Sequence, residues 1–142
     1  MFGGDQDARV RFALLCDYAL TSEDGKVSAI GLFSTINFAQ LPGNYPRFFV
    51  VIVTVLPSGA HTAQLNMIGP QGNDVIPNGP VMNLDVPEGS SESNLIIGFD
   101  NLGFEHSGIY QLQLRIDGTL AMSLPFSVLG ANEQAMTQMG NA

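Results

Sequence analysis

Glu105-His-Ser-Gly108-Ile-Tyr110-Gln-Leu-Gln-Leu-Arg-Ile116-Asp-Gly118 is the stretch on which the fold turns. Apolar and polar residues alternate from Tyr110 to Ile116. That period of two is the signature of a strand with one face in a core and one in water. Asp117-Gly118 follows, and both residue types accept the positive φ that a two-residue hairpin demands. Leu120 to Val128 then reads as the returning strand.

The same signals extend upstream. Arg9 to Leu20 reads as a long strand with Phe12, Leu14, Cys16, Tyr18 and Leu20 on one face. Glu23-Asp24-Gly25 is a hairpin turn, and Val27 to Phe38 returns from it. Leu41 to Pro46 reads as a loop. Arg47 to Leu56 and Ala60 to Ile68 read as strands around a Pro57-Ser-Gly59 turn, and Gly69-Pro-Gln-Gly-Asn73 is a further turn. Val75-Ile76 and Val81 to Val86 are short, proline-interrupted candidates, which suits strand ends or edges. Glu92 to Asp100 is another strand, followed by a loop. Turns recur about every ten residues, the spacing of sandwiches and barrels. The expectation is an all-β, two-sheet antiparallel sandwich of eight or nine strands over 9–129. An N-terminal arm (1–8) and a polar C-terminal tail (130–142) flank it.

Gly108 followed by Tyr110 at a strand start resembles the tyrosine corner of immunoglobulin-like sandwiches. There the phenol bonds to backbone upstream and ties the corner to the sheet. The core disulfide and core tryptophan of immunoglobulins are absent, with one Cys and no Trp. A broader resemblance rests on Cys16-Asp17-Tyr18-Ala19, Asp24-Gly25-Lys26, Ile30-Gly31-Leu32-Phe33, the Pro46 loop, Gly108-Ile-Tyr110 and Ile116-Asp-Gly118. Over roughly residues 10–128 the chain resembles the DUF6941-like family of small bacterial proteins of unknown function. That resemblance implies a sandwich and supplies no activity, cofactor or site residue.

Composition narrows the function. Five Lys and Arg face thirteen Asp and Glu among 142 residues, a net charge of −8. Five scattered cations do not form the basic face that nucleic acid requires, and an anionic membrane is disfavoured for the same reason. The N-terminus has no basic start followed by an apolar run, so it does not read as a signal peptide. The longest apolar run, Phe48 to Leu56, is far short of the ~20 residues of a membrane helix. A single cysteine is compatible with a reducing compartment, and the cytoplasm is the expectation. Charged residues make up only 13% of the chain and apolar residues 45%, so few charges are available to face water.

No set of residues forms a catalytic signature. Cys16 lies mid-strand with no basic neighbour to lower its pKa, and is expected to pack as a small hydrophobe. His61 and His106 lack the companions a zinc site needs and read as surface or loop histidines. Asp100, Asn101 and Glu105 gather oxygens that suit a hard cation, and are weak candidates for calcium because the loop lacks the alternating ligand pattern. Asp17 must point away from the face of Leu14 and Tyr18; it pairs with Arg47 or Lys26, or marks a sheet edge.

The feature with most weight is Phe48-Phe-Val-Val-Ile-Val-Thr-Val-Leu56. Phe48, Val50, Ile52 and Leu56 share one side, and Phe49, Val51, Val53 and Val55 the other. A strand with one wet face does not look like this. The expectation is a non-enzymatic interaction or assembly module without a cofactor. It contacts protein, itself or another chain, through Phe49, Val51, Val53 and Val55. A small-ligand or calcium-binding sandwich is the alternative.

Overall fold

The structure, a computed structural model, describes residues 9–76, 79–89 and 92–131. The expected arm at 1–8, and the expected tail from 132 onward, lie outside the described residues. Nine strands follow in chain order: β1 (Arg9–Thr21), β2 (Val27–Phe33), β3 (Thr35–Asn37), β4 (Gly43–Val55), β5 (Gly59–Ile68), β6 (Val81–Val86), β7 (Glu92–Phe104), β8 (Gly108–Ile116) and β9 (Thr119–Leu129). They form two sheets, ordered β2-β1-β4-β7 and β3-β9-β8-β5-β6. The all-β two-sheet sandwich is as the alternating pattern predicts. Among the described residues no helix is long and apolar enough to cross a membrane.

The hairpins form where turn chemistry puts them. β1 and β2 pair antiparallel around Asp24-Gly25, with the Ser22 N–H donating to the Lys26 carbonyl at 2.8 Å. β8 and β9 pair around Asp117-Gly118, whose φ angles are 51° and 82°. The tyrosine corner is present: the Tyr110 hydroxyl donates to the His106 carbonyl at 2.7 Å. Gly108, at φ 141°, is required there, because a Cβ would stand 2.7 Å from the Pro70 ring.

Several boundaries differ from expectation. Val27 to Phe38 is not one strand; it breaks at Ser34. β2 stays beside β1, while β3 crosses to the other sheet and runs parallel to β9. The crossing carries Ile36 and Phe38 into the core, which one straight edge strand could not do. Leu41 to Pro46 is not all loop, since β4 starts at Gly43. Pro46 is tolerated because the β1 ladder ends at Cys16–Phe49, so β1 misses no donor there. β7 does not stop at Asp100 but runs to Phe104, so Asp100 and Asn101 belong to a strand and not to a loop. Tyr45 and Leu102, paired across β4 and β7, pack on the core only three residues from Phe48 and Phe99. Both strands therefore change face together around Pro46 and Asn101. Asn101 takes φ 54°, a conformation asparagine tolerates. Val75-Ile76 forms no strand; an isolated bridge joins Ile68 to Asp74 instead.

The inner faces meet in one core. Phe48, Val50 and Ile52 of β4 oppose Leu65 and Met67 of β5 and Leu112 and Leu114 of β8, all fully buried. Aromatic rings run through it from Phe99 and Phe48, stacked at 5.1 Å, to Phe104, Tyr110 and Phe126 at the corner. Thr54 is a buried polar side chain, and it donates to the Ser93 carbonyl at 2.9 Å.

Candidate functional site

The outer face of the first sheet carries the apolar excess. Along β4 the inner residues Phe48, Val50 and Ile52 alternate with Phe49, Val51 and Val53, which must face outward. Register fixes their neighbours: Phe12 lies opposite Val53, Leu14 opposite Val51, Cys16 opposite Phe49, and Ile96 opposite Val51. Cross-strand partners share a face, so these side chains form one apolar layer. A register shift between Val10 and Phe12 sets the phase of β1. Val10, Ala13 and Leu15 pack inward while Phe12, Leu14 and Cys16 go outward.

This layer has a buried floor. Cys16, Ala19 and Val51 form a second buried cluster with Leu14, Val27, Ala29, Phe49 and Ile96 against it. Cys16 is fully buried as expected, but in this cluster and not in the main core. Burial pushes its thiol pKa up, which suits packing and not nucleophilic chemistry. Phe49 is half-buried between two neighbours. The Tyr18 ring meets it edge-on at 5.6 Å, and the Arg47 guanidinium lies 5.8 Å from its centroid.

Of the four residues the sequence singles out, two are buried and two are half-buried. Val51 and Val53 are 2% and 6% exposed, and Phe49 and Val55 are half-buried. The exposed apolar surface lies on the flanking strands instead. Phe12, Tyr18, Ile30 and Leu32 are 50%, 47%, 58% and 64% exposed. Leu32 is the register partner of Cys16, and Ile30 that of Tyr18. The difference in exposure has a simple cause: a central strand is shielded by its neighbours, and the strands toward the β2 edge stay more open.

The other candidate residues do not converge. Asp100 is engaged by Arg47, whose Nε donates to it at 2.6 Å, and this contact holds the carboxyl below its ordinary pKa. Asn101 accepts from the Asn44 side chain at 3.2 Å. Glu105 is exposed, 3.9 Å from His106 Nε2. Among the described residues no group of three or more His, Cys, Asp or Glu side chains could hold a metal ion. Asp17 pairs with neither expected cation, since Arg47 binds Asp100 and Lys26 binds Asp24. It lies against Gly31, where a Cβ would stand 2.8 Å from its Cγ and the φ is 73°.

Sequence reading misses one polar pair. His61 on β5 and Asp117 in the β8–β9 turn are 56 residues apart, yet Nδ1 and Oδ2 meet at 2.7 Å. His61 Nε2 lies 2.7 Å from the Pro57 carbonyl, so both ring nitrogens face acceptors and the imidazolium is favoured. These contacts raise the His61 pKa and lower that of Asp117. Asp117 also accepts from the Thr62 N–H at 2.9 Å. The pair pins a hairpin turn to β5, and His61 is nearly buried, with its side chain 12% exposed.

The DUF6941 family, described as a family of unknown function, matches residues 11–129. The chain belongs to that family. No curated protein matches the sequence. Among solved structures, the fold is similar to part of the Pseudomonas fluorescens alkylpurine DNA glycosylase AlkC bound to DNA containing an abasic site analog. The TM-score is 0.50 at 8% identity, over 87% of this chain but 30% of that one. A Listeria innocua β-glucosidase in complex with glucose gives a TM-score of 0.48 at 7% identity, over 86% of this chain and 16% of the other. An immunoglobulin-like protein from Pseudomonas aeruginosa gives 0.39 at 13% identity, over 89% of this chain and all of the other. This DUF6941 chain spans less than a third of the glycosylase and of the glucosidase, and at such identities the likeness is one of fold alone. Two facing sheets and the Tyr110 corner give it the immunoglobulin-like form.

Proposed function

We propose that this DUF6941 protein is a non-enzymatic self-association module, and that a second copy covers the outer face of the β2-β1-β4-β7 sheet. One observation carries the reading. Phe12, Tyr18, Ile30 and Leu32 sit exposed on the strands beside a buried apolar floor, in a chain of net charge −8. With residue areas on the order of 200 Å², these four alone leave roughly 400 Å² open, the size at which an apolar patch marks an interaction site. Matched against the same patch of a second copy, that becomes about 800 Å². This is most of the ~1,000 Å² that a specific interface needs.

The test is mass against concentration, by sedimentation velocity or light scattering. The expected result is a species above 15.1 kDa that gains population as concentration rises. Leu32→Lys combined with Phe12→Lys is expected to shift the equilibrium at least tenfold toward monomer while the far-ultraviolet spectrum stays unchanged. A wild-type protein that remains monomeric at millimolar concentration would overturn the proposal.

A further inference from the structure

The apolar face has two ends, and they are built alike. On β1 the exposed Phe12 marks one end and the exposed Tyr18 the other, with Ile30 of β2 beside Tyr18. Six residues along the strand separate the ends, roughly 20 Å at ~3.3 Å per residue. An ion pair stands at each end. Arg11 binds Glu92, the register partner of Val55. Arg47 binds Asp100, its register partner, and its guanidinium lies over the Phe49 ring. Val55 and Phe49 alternate with the inward residues of β4, and cross-strand partners share a face, so both ion pairs border the outer face.

Measured along β1, these features are symmetric. Cys16 lies opposite Phe49, so Arg47 stands level with Tyr18; Phe12 lies opposite Val53, so the Arg11–Glu92 pair stands just beyond Phe12. Leu15 is midway between Phe12 and Tyr18, and within half a residue of midway between the two ion pairs. A third feature has the same centre. β2 ends at Phe33, the register partner of Leu15, and leaves a groove lined by Leu14, Phe33, Ser34, Leu124 and Pro125. Its volume of about 390 Å³ has room for an aliphatic side chain, since ~150 Å³ holds a benzene ring. Leu32, the most exposed residue of the patch, stands on the other side of that centre.

We infer that the second copy stacks on this face about a two-fold axis that crosses the strands at Leu15 and Phe33, so that β1 runs antiparallel over β1. The inference rests on the self-association reading and fixes its geometry. A half-turn about that axis sets Phe12 over Tyr18 and Ile30 of the second copy, and Leu32 into the second copy's groove. The reverse contacts form at the same time, as a two-fold interface requires. All four exposed apolar residues are covered in both copies. The groove and the half-buried Leu14 and Phe49 supply the area these four lack toward the ~1,000 Å² of a specific interface. The same half-turn sets the Arg11–Glu92 pair over Arg47–Asp100. Each pair is neutral, so the net charge of −8 is not concentrated at the contact. A two-fold axis along β1 has none of these matches. It sets β2 over β4, and so Ile30 on the Arg47–Asp100 pair, where a charge loses water to an apolar side chain.

Mixing charged variants tests the axis. Phe12→Lys and Ile30→Glu are made separately; both sites are exposed, and each variant is expected to keep the wild-type far-ultraviolet spectrum. In either homodimer both Phe12–Ile30 contacts are broken, and association is expected to weaken roughly tenfold or more. In a heterodimer of the two, the new ammonium meets the new carboxylate once and the other contact stays intact. Their equimolar mixture is therefore expected to associate about tenfold more tightly than either variant alone, by sedimentation velocity at ~0.15 M salt. Phe12→Lys mixed with Phe12→Glu is the comparison. It brings the same two charges, but this axis holds them roughly 20 Å apart, so no recovery is expected. If the wild type associates but the first mixture gains nothing, or the second gains as much, the axis is overturned and the face reading survives. If the wild type is monomeric throughout, both fall.

Discussion

The two sheets share one core but meet water differently. On the second sheet, the outward residues of β5, β8 and β9 are mostly polar, with Thr62, Gln64, Asn66, Gln111, Gln113, Arg115, Ser123 and Ser127 beside Pro125 and the exposed Ile109 and Leu120. On the first, the corresponding positions hold Phe12, Leu14, Cys16, Phe49, Val51, Val53 and Ile96. Apart from the parallel β3, the second sheet is antiparallel, dry inside and largely wet outside. Its margins are held by polar pins: Tyr110 to His106, His61 to Asp117, Asp117 to Thr62, Ser123 to Gln111. The first sheet holds itself with a second apolar layer that a one-core sandwich does not require. A surface that costs solubility and is still built is the ground for proposing that a partner covers it. This is why the first sheet, and not the pinned turn around His61, carries the functional proposal.

The largest test of that contrast sets the two central strands against each other. Val51 on β4 and Gln113 on β8 both point outward from the middle of their sheets. Val51→Lys is expected to destabilise the protein by about 3 kcal/mol, because the residue is 2% exposed and its ammonium would find no partner in the layer. Gln113→Lys is expected to stay within about 0.5 kcal/mol, since its neighbours Asn66 and Ser123 are polar. Urea unfolding followed by circular dichroism, at a concentration where the protein is dissociated, compares them. Equal costs would mean that the outer layer of the first sheet contributes no stability of its own.

A smaller effect is expected at the tyrosine corner. Tyr110→Phe keeps the ring in the core and leaves the His106 carbonyl without its 2.7 Å donor. The loss should be about 1–2 kcal/mol, or a fall of roughly 3–6 °C in Tm. If the loss matched that of Val51→Lys, polar pins and apolar layer would be of equal weight, and the contrast between the sheets would weaken.

Most of the fold was legible because the relevant physics is local. Tyr110 to Ile116 alternates, Asp24-Gly25 and Asp117-Gly118 turn, and Gly108 followed by Tyr110 sets the corner, each within a few residues. Parity along β4 was legible too, including its two apolar faces. Three features were not, and each depends on distance. The switch of β3 to the other sheet is decided by what Ile36 and Phe38 gain in a core assembled from later strands. The continuation of β7 past Asp100 depends on a paired change of face in β4. Exposure depends on strand order: nothing within Arg47 to Leu56 says that β1 and β7 shield it, or that β2 lies at an edge. The His61–Asp117 contact joins strand β5 to a turn 56 residues away and has no sequence pattern at all.

That contact supplies the smallest prediction and the one that separates the sheets by pH. His61 has a raised pKa in the folded state, so its contribution is complete below the unfolded value of about 6.5. It is lost as pH rises through the folded value. Asp117 has a lowered pKa, so its contribution is present above about 3.9 and lost as pH falls through the folded value. The pair therefore stabilises most between roughly pH 4 and 6.5. Asp117 is half exposed, and solvent screening limits the effect to about 0.5–1 kcal/mol. Wild type and His61→Gln, unfolded in urea at pH 5.5 and 8.5, give the measurement. The wild-type advantage at pH 5.5 should shrink at pH 8.5, because only the imidazolium donates to both Asp117 and the Pro57 carbonyl. Val51→Ala, by contrast, should lower stability by the same amount at both pH values, since no titrating group but the buried thiol of Cys16 lies in its layer. An advantage of wild type over His61→Gln that does not change with pH would show that the ring acts there by packing and not by charge. The second sheet would then be held, like the first, mainly by contact.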